Sequence, residues 1–140
     1  MSKKKQVLIL PAPHKVEVIK RHFEEDAEIV RGEFQHIEFR FNSDLRILHN
    51  GKDLREYDFV WLASKFSSRD ISRSISIYLD YHKVSHTKIH YGEGTSKLID
   101  MTRFELSKMP IPDTFFQKKH RVYEKIDVIE ELCGFPLIIK

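Results

Sequence analysis

Val7-Leu8-Ile9-Leu10 is an unbroken apolar run four residues long, closed by Pro11 and Pro13. Such a run is too short for a helix and has no polar face, so it reads as a strand buried on both sides, the environment of a parallel sheet. A chain that begins this way needs helices to cover both faces of that strand. Val16, Ile19 and Phe23 supply a first apolar stripe at i, i+3 and i+7, with Pro13 suited to the helix start. Ala27 to Val30 returns as a second strand before Gly32. Tyr57 to Ala63 is the most apolar run and reads as a central strand. Ser67-Ser68-Arg69-Asp70 then offers caps for a helix carrying Ile71, Ile75, Tyr78, Leu79 and His82 on one face.

Between these units the pattern changes. Ile37-Glu38-Phe39-Arg40-Phe41 alternates strictly, which predicts a strand with one wet face. Asn50-Gly51 follows Leu45 to Leu48 and suits the centre of a type I′ turn, so a small antiparallel hairpin insertion is expected. Thr87 to His90 reads as a further short strand. Thr95 is a candidate N-cap for a helix through Ser107, ended by Met109-Pro110-Ile111-Pro112. Thr114 to Gln117 reads as a strand. Val122, Ile126, Ile129 and Cys133 form a helical stripe stopped by Gly134, and Phe135 to Lys140 reads as a buried strand. Strands alternating with helices define an α/β chain with a mainly parallel sheet.

Composition narrows the function classes. Lys3, Lys4 and Lys5 supply the whole excess of 24 basic over 21 acidic side chains, so the body is electrically balanced. A nucleic-acid binder concentrates its cations on a folded face, so no nucleic acid is expected; residues 1–5 read as a disordered basic arm. If that arm were to serve a nucleic-acid accessory domain, binding would be salt-sensitive and lost with the arm. The single cysteine, Cys133, cannot close an internal disulfide and sits on an apolar stripe, and no leader or membrane-length segment is present; a cytoplasmic chain without membrane contact is expected. The turn after the first strand, Pro11-Ala12-Pro13-His14, lacks the glycines of a dinucleotide site, and no P-loop occurs. His82, His86 and His90 are spaced at four residues but straddle a change from helix to strand, which separates them as metal ligands. No metal-ligand or catalytic residue is assigned.

Two lysines stand apart. Lys97 lies in the first turn of a helix, beside free backbone N–H groups, and Lys140 ends an apolar strand, where an unpaired charge is costly; both suit a polyanionic ligand. Thr95-Ser96-Lys97-Leu98, then a helix, Met109-Pro110-Ile111-Pro112-Asp113-Thr114-Phe115, a second helix, and Cys133-Gly134-Phe135-Pro136-Leu137-Ile138-Ile139-Lys140 together resemble the entry to an ATP-grasp fold. Residues 6–94 resemble, in topology more than in motif, the Rossmann-like domain that precedes the grasp in RimK-like ligases, where Tyr57-Asp58-Phe59-Val60-Trp61 is a familiar kind of strand.

The resemblance implies a pre-ATP-grasp domain over residues 1–94 and the beginning of an α+β ATP-grasp domain over 95–140. It implies ATP-dependent joining of a carboxylate to an amine through an acyl-phosphate, with Lys140 near the α-phosphate and adenine and Lys97 reaching the phosphates. The glycine-rich lid, the adenine hinge and the Mg²⁺ ligands of the family lie beyond the position matching Lys140. The chain is therefore expected to be the inactive front part of a longer ligase acting on a small carboxylate, amine or peptide. The Phe135 to Ile139 edge is then a route to homo-oligomers. His14, Lys65, Ser67 and Arg69 follow the first and central strands and are candidate substrate contacts. A non-catalytic α/β binding module is the alternative, with Lys97 and Lys140 merely solvated.

Overall fold

A computed structural model describes residues 3–89, 96–136 and 138. In chain order the elements are β1 (Lys5–Leu10), α1 (Val16–Phe23), β2 (Ala27–Arg31), β3 (Ile37–Phe41), β4 (Leu45–His49), β5 (Lys52–Asp53), β6 (Phe59–Leu62), α2 (Arg69–Tyr81), α3 (Lys97–Leu106), β7 (Thr114–Phe116), α4 (Lys119–Val122) and α5 (Ile126–Cys133). The strands form two sheets: a parallel one in the order β2-β1-β6 and an antiparallel one in the order β5-β4-β3-β7. The class is mixed α/β, as the alternation of runs predicts. The antiparallel part is larger than expected, because the hairpin insertion is joined by β7, which pairs with β3 from Phe39↔Phe116 to Phe41↔Thr114.

The parallel sheet follows from local sequence. Leu8 and Leu10 look into the main core with Val60 and Leu62 of β6. Ile9 and Val16 are also buried but lie outside that cluster, in a thinner layer where α1 covers the opposite face. The helix starts at Val16, three residues later than expected, because the Val16 N–H closes a turn on the Pro13 carbonyl. Lys5 is already strand, paired with Ala27, so the arm is shorter than the charge pattern suggests. Beyond α2, among the described residues, His86 alone bridges to β6, opposite Val60. The expected strand at Thr87 does not extend from it, since the Thr87 hydroxyl accepts the Leu62 N–H and donates to the Leu62 carbonyl, replacing the ladder.

Phe39 and Phe41 of β3, Leu45 and Ile47 of β4, and Ile71, Ile75, Tyr78 and Leu79 of α2 complete the core against the parallel sheet. The expected domain boundary at 94/95 falls outside the described residues. On its far side α3 packs along α2, Leu98 joins the same core, and Phe116 meets Phe39 edge-on at 5.6 Å. Ser96, not Thr95, caps α3, its hydroxyl accepting from the Ile99 N–H. The helix expected through Val122 and Cys133 is interrupted by a 3₁₀ turn at Tyr123–Lys125. Gly134 ends it at φ +70°, as expected. Phe135 and Ile138 are exposed, not buried in a strand; Leu137, Ile139 and Lys140 lie outside the described residues.

The face of β3 assigned to water is covered as well. Asn42 donates to the Leu132 carbonyl of α5, and Lys125, just before α5, places its ammonium 2.9 Å from Glu38. Glu38 is only 1% exposed. Arg40 holds its other side at 2.7 Å.

Candidate functional site at the carboxyl ends of the parallel strands

The chain leaves β1 through α1 toward β2, and leaves β6 through α2 toward His86 on the other side. Crossovers that depart in opposite directions open a crevice between β1 and β6 at their carboxyl ends, the usual ligand position in an open α/β sheet. The segments after the two strands, Pro11 to Lys15 and Ala63 to Arg69, line it. They are held by backbone bonds: Ala63 N–H to Leu10, Ala12 N–H to Gly32, and Gly32 N–H to Ile9. A side chain at Gly32 is excluded, since its Cβ would stand 2.7 Å from the Ile9 carbonyl.

His14, Lys65, Ser67 and Arg69 are all exposed on these segments. The structure therefore brings the four candidates to one rim, at the ends of two adjacent strands and about fifty residues apart in sequence. Ser68 and Ser72 anchor the second segment from beneath, donating to the Lys65 and Ala63 carbonyls. The Arg69 guanidinium lies 4.5 Å over the ring of Phe66, which is 82% exposed. Phe66 is the rim residue that sequence reading missed; a large apolar side chain directly before a serine pair in a loop is the signal that could have found it.

Lys97 is exposed at the first position of α3. α3 packs along α2, the helix that follows the rim segment Ala63 to Arg69. Lys140 is outside the described residues, so its partnership with Lys97 is not seen.

The rim carries cations and hydroxyls. The displaced pKa values elsewhere in the molecule each have a structural cause. Burial opposes the charge of Asp53, yet the Arg55 side chain and backbone and the Tyr78 hydroxyl, at 2.8 to 2.9 Å, hold its carboxyl below the usual range. The Tyr78 hydroxyl is pushed up by burial and by that carboxylate. His49 is driven down to about 4 by burial and by His36. Glu105 is raised by burial. Burial also raises the Cys133 thiol, which is no activated nucleophile. His82 ends α2 and His86 bridges to β6, while His90 lies outside the described residues; among those residues no group of three His, Cys, Asp or Glu could hold a metal ion. The rim suits recognition of an anionic group by cations and hydrogen bonds.

Comparison with protein-family models, with curated proteins and with solved structures gives no match. No helix among the described residues is long and apolar enough to cross a membrane.

Proposed function

We propose that this chain is the front part of an ATP-dependent carboxylate–amine ligase of the ATP-grasp kind, located in the cytoplasm, with residues 6–94 as a Rossmann-like substrate-side domain and 95–140 entering the nucleotide domain. The observation that carries this reading is the position of Lys97: it opens a Ser96-capped helix that packs along α2, the helix following the rim segment. The order that follows also agrees with the motif: a proline-bounded segment, the strand Thr114–Phe116, and a helix stopped at Gly134 before Phe135-Pro136.

In this reading Lys97 and Lys140 offset the charge of the triphosphate as it grows on the departing ADP, and neither transfers a proton. Lys97 fits the role, being an exposed ammonium beside the N–H groups of a helix start. ATP, when bound, supplies the phosphoryl group that activates the carboxylate. His14, Lys65, Ser67 and Arg69 hold the small carboxylate, amine or peptide substrate at the rim. Mg²⁺ would accompany the nucleotide, but the described residues do not provide a ligand set for it, and no step is assigned to it.

The test uses the protein carried on past Lys140. ATP turnover that requires both an acid and an amine is expected, and Lys97→Ala or Lys140→Ala should each reduce it about a hundredfold. Turnover unaffected by either substitution, or a reading frame that stops at Lys140, would leave the binding-module reading in its place.

A further inference from the structure

The face of the antiparallel sheet turned away from the main core meets α5 across an open depression. Register sets Arg40 of β3 directly opposite Arg46 of β4, so both side chains leave the sheet on one face. From the other side Val128, Glu131 and Leu132 stand at i, i+3 and i+4 on α5, one stripe of that helix. α5 is held there by the Asn42 bond to the Leu132 carbonyl and by the contact of Lys125 with Glu38. Together with Asn42 and Asp44 these side chains line a space of about 300 Å³, at the lower end of the range that holds small molecules.

Like charges facing each other across paired strands repel, and the structure only partly offsets this. Arg40 donates from Nε and Nη2 to Glu38 at 3.2 and 2.7 Å, and among the described residues its Nη1 makes no hydrogen bond. The Arg46 side chain is 47% exposed, and its ion pair with Asp53 is long, at 3.7 Å. The acids of the depression do not make up the difference. Among the described residues neither Asp44 nor Glu131 makes an ion pair, although both share the lining with the arginines. The depression thus presents two cationic and two anionic groups beside an apolar wall of Val128 and Leu132. A ligand charged with one sign meets as much repulsion as attraction there. A molecule with a carboxylate and an ammonium on one carbon, and an apolar tail, satisfies every part of the lining.

We infer that this depression is a binding site for a free α-amino acid with an apolar side chain. Arg40 and Arg46 take the carboxylate, Asp44 and Glu131 the ammonium, and Val128 and Leu132 the side chain. The site lies on other elements than the rim and does not depend on the ligase reading.

Calorimetric titration of the protein with L-leucine, with backbone amide shifts followed in parallel, tests the proposal. Binding in the millimolar range is expected, with the shifted amides in residues 40–46 and 128–132. Isocaproate, which lacks the ammonium, and isoamylamine, which lacks the carboxylate, should each bind about tenfold more weakly. Arg46→Ala and Glu131→Gln should each raise the leucine Kd about tenfold. Both side chains are exposed, and Glu131→Gln should keep the urea midpoint of the parent, which separates lost binding from lost folding. No leucine binding at tens of millimolar, isocaproate binding as tightly as leucine, shifts confined to the rim, or a Kd indifferent to both substitutions would each overturn the inference.

Discussion

Glu38 brings a carboxylate into a face of β3 that strict alternation assigns to water. Burial opposes its ionisation, but the hydrogen bonds and charges of Lys125 and Arg40 outweigh that and hold its pKa below the ordinary 4.5. An acid whose native pKa is depressed contributes its full stability above 4.5 and loses it as the pH falls through the lower native value. Glu38→Gln should therefore cost about 1–3 kcal/mol at neutral pH, because two partly buried cations lose their countercharge and one of them faces an amide N–H₂. It should also make the loss of stability below pH 4.5 shallower. Urea unfolding at a series of pH values reads both effects, and a variant with the same acid slope as the parent would contradict the account.

Elements differ in how openly their sequences declare them. The turn joining β4 to β5 is declared outright: Asn50 and Gly51 adopt φ +47° and +81°, the conformation their pairing predicts. Gly51→Ala meets open space, so its cost is conformational alone, about 1 kcal/mol measured as a lower urea midpoint with unchanged slope. β1 and β6 were equally legible, since unbroken apolar runs leave few alternatives, and the four rim candidates followed from where those runs end. The side of β3 that meets α5 was not legible, because alternation records polarity and cannot record that Lys125, 87 positions on, supplies the countercharge. Phe66 escaped for a related reason: its value to the rim comes from the Arg69 guanidinium above it. Thr87 shows the converse, a β-branched residue in a strand-like run whose hydroxyl takes over the ladder bonds. Ser96 in place of Thr95 as the cap is a one-residue matter that two adjacent hydroxyl residues leave open.

At the scale of the whole molecule, two sheets share one core, and the antiparallel sheet needs both ends of the sequence. β3 holds β4 on one side and β7 on the other, and α5 lies over Glu38 from the same late segment. A chain ending at Lys108 should leave β3 with an open edge and Glu38 without Lys125. Loss of cooperative urea unfolding together with concentration-dependent light scattering is the expected outcome. A soluble fragment that unfolds in one transition would show that β7 and α5 are dispensable.

Pairing Arg40 with Phe115 across 75 positions also sets a timetable for synthesis. The parallel strands and the β3–β4 hairpin are made first, yet β3 of that hairpin waits until Thr114–Phe116 has been made before its neighbour arrives. During that interval Phe39 lacks the edge-on contact of Phe116, and the open edge of β3 is exposed to non-native strand pairing.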